Sequence, residues 1–173
     1  MAWPTPDVSS LRRVLTTAAS VLWPVLPAPA AGADGIDLIL IEKSARRMTL
    51  YDDGRAIKTY RIALGFAPVG DKERQGDGRT PQGRYRISYK NPNSQFHLSL
   101  KISYPDAEDR AAARLRGEDP GGDIFIHGTP GRASYGPAEP IPDWTLGCIA
   151  VTNSEIEEIW GLVAVGTAVE IRP

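Results

Sequence analysis

Cysteine and histidine are scarce in this sequence. The 173 residues include one cysteine, Cys148, and two histidines, His97 and His127. A single cysteine cannot close an internal disulfide, and the sequence has no paired-cysteine or His-Glu-x-x-His motif, so no metal site is predicted. A lone cysteine is either a small buried hydrophobic residue or, in an exported chain, a working thiol or the partner in an intermolecular disulfide.

Motifs for nucleotides and for serine nucleophiles are also missing. The sequence has no P-loop, no Gly-x-Gly-x-x-Gly after a strand and no Gly-x-Ser-x-Gly turn. Its net charge of −1 gives no support for nucleic-acid binding. The sequence therefore predicts a protein that uses no cofactor and has no nucleic-acid partner.

Long apolar runs are absent too, apart from a short stretch near the N-terminus. Positions 14–26 are mostly apolar, follow Arg12-Arg13 and precede a run of small residues, as in a secretory signal peptide. About thirteen apolar residues are too few to span a bilayer. We predict a signal peptide at 1–30 with cleavage near Ala30 or Ala33, export to the periplasm or cell envelope, and no stable membrane insertion after cleavage. The alternative is a floppy tail or an uncleaved anchor.

The rest of the chain has the size and pattern of one mainly β domain. Residues 1–30 carry two arginines and one aspartate, so their removal leaves a net charge of −2. Apolar runs, alternation and the turn signal Asp52-Asp53-Gly54 indicate strands. The predicted strands are 36–41, 47–51, 56–64, 84–89, 124–126, 149–151 and 165–171. Short helices are predicted at 107–116 and from Asn153 or Ser154 to about 163. The expected fold is a β sandwich or partly closed barrel with two short helices.

Cys148 lies in a setting that favours chemistry over simple packing. It follows Gly147 directly and precedes a short apolar strand, so its sulfur is expected at an exposed turn. His127 ends another predicted strand about twenty residues upstream. A cysteine and a histidine are sufficient for acyl transfer, because the imidazole can accept the thiol proton or hold the thiolate as an ion pair. Backbone N–H groups around 146–148 are candidates for an oxyanion hole.

These motifs resemble the signature of the L,D-transpeptidase (YkuD-domain) family. The signature begins with His-Gly, here His127-Gly128. A loop of about the length found here at 128–144, seventeen residues, follows, and then Ser or Thr before Gly-Cys, here Thr145 to Cys148. The segment 80–85, Thr-Pro-Gln-Gly-Arg-Tyr, is also similar to an upstream family motif. The resemblance covers residues 36–172 and implies a single YkuD-like catalytic domain. Two departures are Leu146 and Ala150, where many members have His and Arg.

The resemblance implies a substrate and a set of site residues. Cys148 would attack the third residue of a peptidoglycan tetrapeptide stem, release D-alanine and form a thioester that meets an amine or water. Cys148, His127, Gly147 and Thr145 are the implied catalytic group. A thiol of this kind would also be acylated by a β-lactam such as a carbapenem. Cross-linking of stems is the first expectation. The alternative is an L,D-carboxypeptidase or an amidase that detaches stem-linked groups. The non-enzymatic alternative is a non-catalytic wall-binding module.

Five further residues are candidate substrate contacts: Trp144, Gly128, Phe96, His97 and Arg132. Trp144 either lines the pocket or pins the loop. If 94–104 is a strand, Phe96 faces away from His97, which is then either a partly exposed strand histidine or a substrate-side residue. Arg132 either meets a stem carboxylate or is a solvated loop charge.

Overall fold

The computed structural model describes Met1 and residues 35–130 and 142–173. The predicted signal peptide and Arg132 lie outside these residues. Within them, no helix is long and apolar enough to cross a bilayer.

The described chain is mostly β structure with two helices, which confirms the predicted fold class. The strands are β1 (Leu38–Glu42), β2 (Arg47–Asp52), β3 (Arg55–Arg61), β4 (Gly83–Ser94), β5 (His97–Ile102), β6 (Phe125–His127), β7 (Ile149–Ala150) and β8 (Ala168–Arg172). The helices are α1 (Ala107–Arg116) and α2 (Asn153–Leu162). The strand order is β3-β2-β1-β8-β4-β5-β6-β7, in which β1 pairs with β8 and β6 with β7 in parallel and every other pair is antiparallel.

A two-residue turn sets the register of the first hairpin. Asp53 and Gly54 both have positive φ, 45° and 74°, and join β2 to β3. Positive φ at both central positions is the type I′ geometry, whose twist matches that of the flanking strands, and glycine adopts it without a steric penalty. The hairpin signal in the sequence therefore marked a real turn.

The sheet curls until its two edges meet. Beyond β3 the chain reaches Ala63, which forms an antiparallel bridge with Ala150 in β7, the last strand of the order. This contact makes the sheet a partly closed barrel. Its interior is filled by fully buried aliphatic side chains that include Ile39, Ile41, Met48, Leu50, Leu100, Ile102 and Ile126.

Both helices begin with a capping box. Asp106 caps α1 and exchanges hydrogen bonds with Asp109, and Gly117 ends the helix in the left-handed conformation. Thr152 caps α2 and exchanges hydrogen bonds with Glu155, so the cap lies one residue before the predicted position. The α2 helix buries Ile156 and Ile159 and packs on β5 and β6. It thereby supports the strand that ends at His127.

Candidate active site

Cys148 is carried by a tight turn that the Thr145 side chain closes. The Thr145 hydroxyl donates to the Cys148 carbonyl at 2.7 Å and accepts from the Gly147 N–H at 3.1 Å. Gly147 has φ of 130°, which favours glycine. The Gly147 amide is therefore occupied and cannot serve an oxyanion hole, which corrects part of the sequence expectation. The amides of Leu146 and Cys148 remain as candidates.

The backbone behind this turn is packed against a second loop. Thr145 N–H donates to the Leu64 carbonyl at 3.1 Å, and its own carbonyl accepts from Phe66 N–H at 2.9 Å. A Cβ on Gly65 would lie 2.1 Å from the Gly78 carbonyl oxygen, and a Cβ on Gly147 would lie 2.6 Å from that of Arg79. Neither distance is possible for a real side chain, so glycine is required where the two loops meet.

A buried lysine contacts the second loop, which packs behind the cysteine turn. Lys43 is 2% exposed and donates to the carbonyls of Gly70 and, at 2.7 Å, Thr80. Burial lowers the pKa of Lys43 to about 8. The Thr80 hydroxyl accepts in turn from Gly65 N–H at 3.1 Å. A chain of buried hydrogen bonds thus runs from Lys43 to the backbone that supports the cysteine turn.

Asp143 fastens the other end of the turn. Its carboxylate accepts from Leu64 N–H at 2.9 Å and forms an ion pair with Arg46 at 2.7 Å. Asp143 directly precedes Trp144, so the anchor restricts the stretch from which that indole projects. Asp143 was not predicted as a site residue, because one charged residue at the edge of a loop has no distinguishing pattern.

His127 ends β6 with its imidazole held in one orientation. Its Nδ1 donates to the Gly128 carbonyl at 2.6 Å, so in the neutral ring Nε2 is the free acceptor. Burial lowers the pKa of His127, which is 3% exposed. The ring packs against Phe96 at 4.5 Å between centroids and against Trp144 at 5.7 Å. The Gly128 carbonyl therefore selects the tautomer.

Cys148 and His127 line the same two adjoining cavities. One of about 500 Å³ also contains Trp144, Thr145 and Leu146, and one of about 390 Å³ contains the end of the β4–β5 hairpin. The Cys148 Sγ contacts the Asp123 carbonyl at 3.6 Å as a weak donor. Burial raises the pKa of the Cys148 thiol. Both shifts favour a thiol and a neutral imidazole over an ion pair.

The predicted substrate contacts divide into two groups. Phe96 lines both cavities and Trp144 lines the larger one, where it also packs on His127. His97 is not among the described lining residues, and its Nε2 contacts Glu157 on α2 at 2.6 Å. Gly128 supports the site through its backbone, since its carbonyl orients His127 and its N–H donates to Phe96. Arg132 lies outside the described residues.

Two charged residues at the cavities were not predicted. Lys72 lines the larger cavity, and Asp123 lines both. Each belongs to a polar loop without periodicity, so only the presence of charge could have marked them. In the described part of the chain, no group of three or more His, Cys, Asp or Glu side chains is arranged to hold a metal ion.

Comparisons with known proteins agree on one family. The model of the YkuD family, the L,D-transpeptidase catalytic domain, matches residues 36–171. YafK of Escherichia coli (strain K12), which its name assigns to the L,D-transpeptidases, is 30% identical over 131 residues, or 72% of this chain and 46% of YafK. YkuD of Bacillus licheniformis, named in the same way, is 27% identical over 140 residues, or 78% of this chain and 65% of that protein.

A solved structure also matches this chain. The crystal structure of the helical cell shape determining protein Pgp2 from Campylobacter jejuni matches with a TM-score of 0.61 and 28% identity. The match covers 80% of this chain and 48% of Pgp2. The chain therefore spans about half the length of YafK and of Pgp2.

Proposed function

Because the chain belongs to the L,D-transpeptidase (YkuD) catalytic domain family, we propose that it is a cysteine-dependent acyltransferase acting on peptidoglycan tetrapeptide stems. The observation that carries this proposal is the placement of Cys148 and His127 on one cavity, with His127 Nδ1 bonded to the Gly128 carbonyl. That bond leaves Nε2 as the base. Export of the chain would bring it to this substrate.

The protonation states favour general-base attack. Since burial lowers the pKa of His127 and raises that of Cys148, both groups are neutral before the reaction. The thiol adds to the carbonyl of the third stem residue while His127 accepts its proton. The C–N bond to the terminal D-alanine then breaks, and His127 returns the proton to the departing amine. A thioester on Cys148 remains.

The oxyanion formed during attack needs hydrogen-bond donors. The Gly147 amide is bonded to Thr145, so we assign this role to the Leu146 and Cys148 amides. A donor of this kind contributes roughly 3–4 kcal/mol to the transition state. Thr145 acts indirectly, because its two hydrogen bonds hold the turn in the shape that presents these amides.

For the second half of the reaction, we propose that the acyl group is transferred from Cys148 to an amine. Two cavities meet at Cys148, His127, Phe96 and Asp123, which supports binding of a donor stem in one and an acceptor in the other. His127 would then remove a proton from the acceptor amine as it attacks the thioester. Hydrolysis, as in an L,D-carboxypeptidase or a detaching amidase, needs only water at the same point.

Products of a defined substrate test the proposal. The protein would be incubated with purified disaccharide tetrapeptide, and the products resolved by mass. Dimers formed with loss of D-alanine are the expected result, and neither Cys148→Ala nor Cys148→Ser should form them. Tripeptide alone would indicate a carboxypeptidase, and release of a group attached to the stem would indicate an amidase. Binding of peptidoglycan without any Cys148-dependent product would mean a wall-binding module.

A β-lactam gives a second readout of the same nucleophile. Opening of a carbapenem ring by Cys148 would add the whole inhibitor mass to the protein. Intact-protein mass spectrometry should show this adduct on the wild type and none on Cys148→Ala. An adduct of equal yield on both proteins would contradict acylation at Cys148.

A further inference from the structure

Lys72 places a positive charge on the wall of the cavity that contains Cys148. It lies in the loop between β3 and β4, is 6% exposed and lines the cavity together with Trp144 and Cys148. Among the described lining residues of the two cavities, Lys72 and Asp123 are the charged side chains. Asp123 already pairs with Lys101 at 2.7 Å. The described cavity wall therefore has one cation that could meet an anionic part of a substrate.

Lys72 forms a buried ion pair with Asp77 in the same loop. The Asp77 carboxylate accepts from Lys72 Nζ at 2.8 Å and also from the N–H groups of Glu73, Arg74 and Arg79. Burial opposes ionisation of Asp77, but hydrogen bonds from Lys72 and these amides lower its pKa to about 2. The pair is therefore neutral as a whole, but the charge of Lys72, and not that of Asp77, is among those that shift the pKa of the Cys148 thiol.

The ammonium group also has bonding capacity to spare. Lys72 Nζ donates to Asp77 and, at 3.0 Å, to the Arg74 carbonyl. A lysine ammonium has three N–H donors, so one is left for a ligand. The same cavity wall contains Gly76, Gly121 and Gly122, which have no side chains. Lys72 also acts electrostatically on Cys148, since its charge opposes the rise in the pKa of that thiol.

We propose that Lys72 binds the terminal carboxylate of the stem peptide, so that the enzyme requires a leaving residue with a free carboxyl group. This inference rests on the proposed function and adds a specificity-determining residue to it. The carboxylate of the departing residue lies only a few bonds from the carbonyl that Cys148 attacks, and Lys72 and Cys148 line the same cavity. Lys72 thereby selects stems with an unmodified carboxyl terminus.

The bonds made and broken by the reaction are unchanged. The Cys148 Sγ–carbon bond forms, the C–N bond to the terminal residue breaks, and the proton moves from the thiol through His127 to the leaving amine. The leaving residue departs as an amino acid whose carboxylate was paired with Lys72. A stem that ends in a carboxamide makes the same bonds but offers Lys72 no charge.

Two matched substrates test the pairing. The disaccharide tetrapeptide ending in D-alanine would be compared with the same compound ending in D-alanine amide, and kcat/KM measured for each. Wild type should prefer the carboxylate by about 10- to 100-fold, the usual value of a hydrogen bond between charged groups. Lys72→Met would leave Asp77 buried without its partner, so the double variant Lys72→Met/Asp77→Asn should be measured with it. In both variants the preference should fall to about one.

Controls separate this role from a structural one. Lys58 is exposed and pairs with Glu158 away from the described cavity lining, so Lys58→Met should keep the wild-type preference. If Lys72 only holds its loop, the double variant would lose activity on both substrates equally and keep the ratio, which would overturn the inference. Equal rates of wild type on both substrates would also overturn it, while the proposed function would stand. Failure of wild type to process either substrate would overturn both.

Discussion

The two halves of the candidate site are held in place by different forces. On the side of Cys148, glycine backbones pack on each other and hydrogen bonds run through Thr145, Thr80 and Lys43. On the side of His127, one backbone hydrogen bond sets the tautomer and the rings of Phe96 and Trp144 cover the imidazole. Backbone packing has no room to adjust, whereas aromatic side chains can shift. Substitution of the packed glycines should therefore disrupt the site completely, whereas substitutions of the rings around His127 should have graded effects.

Gly65→Ala should have the largest effect. The new methyl group would lie 2.1 Å from the Gly78 carbonyl oxygen and 3.0 Å from the Gly147 Cα, so the loops must separate. We expect a loss of about 3 kcal/mol in the free energy of unfolding, together with activity close to that of Cys148→Ala. Urea denaturation and turnover of the tetrapeptide would measure both. Gly161→Ala, where nothing lies within 4 Å, is the matched control and should change stability by less than about 1 kcal/mol.

His127→Ala should come next, with kcat/KM reduced by at least about 10²-fold. Because burial lowers the pKa of His127, the ring protonates only below its ordinary value of 6.5. The acid limb of the wild-type pH profile should therefore lie below pH 6.5. His97→Ala serves as the control, since His97 contacts Glu157 on α2, and it should retain wild-type kcat/KM. An acid limb above pH 6.5 would show that another group controls the reaction.

Thr145→Val should have an intermediate effect and tests the two hydrogen bonds of the Thr145 hydroxyl directly. Valine keeps the shape but leaves the Cys148 carbonyl and the Gly147 N–H without their partner. We expect a loss of about 1–3 kcal/mol in stability and of up to about 10²-fold in kcat/KM, because the nucleophile is misplaced. Ser88→Ala removes an exposed hydroxyl that also donates to a carbonyl and should be nearly neutral. Equal effects of the two substitutions would show that the Thr145 hydroxyl does not hold the cysteine turn.

Lys43→Met should have the smallest effect on kcat/KM. It removes the hydrogen bonds to the Gly70 and Thr80 carbonyls, and part of its effect on stability should change with pH. Burial, helped by the charges of Arg79 and Arg46, lowers the pKa of Lys43 from 10.5 to about 8 in the folded protein, while Asp71 and Asp77 oppose the shift. Between these values the unfolded chain binds more protons, so wild-type stability gains up to about 1.4 kcal/mol per pH unit from this group as pH rises. The variant lacks this contribution.

The free energy of unfolding at about pH 7.5 and about pH 9.5 would measure the contribution of Lys43. Subtracting the variant from the wild type removes the effect of the tyrosines, which titrate at still higher pH because burial raises the pKa of Tyr60, Tyr85 and Tyr104. The wild type should gain stability relative to Lys43→Met between the two conditions. A difference that stays constant with pH would mean that Lys43 titrates normally.

The parts of the fold that the sequence predicted well are governed by local chemistry. The bounds of α1 were predicted correctly, because Asp106 and Gly117 are strong start and stop signals. The cap of α2 was placed one residue late, since several adjacent residues can all cap a helix. The meeting of Ala63 with Ala150 was not predicted, because that contact depends on the curvature of the whole sheet.

The candidate site divides in the same way. Cys148 and His127 were identified by motif spacing, and the structure places them on one cavity. Lys72 and Asp123 were missed, because their loops show no period and their relation to the cavity is set by tertiary contacts. The expectation that the Gly147 amide serves an oxyanion hole was corrected, because the folded turn directs that amide to the Thr145 hydroxyl.

The pairing of β1 with β8 has a consequence for how the protein folds. These strands lie near opposite ends of the domain sequence, yet Leu38 pairs with Ala168 at the centre of the strand order. Contacts of such high sequence separation slow folding, because the intervening chain must be ordered before they form. Until the last strand has been synthesised, β1 and β4 each have an unpaired edge, which is a site for association with other chains. We therefore expect aggregation during synthesis to be governed by the time taken to complete β8.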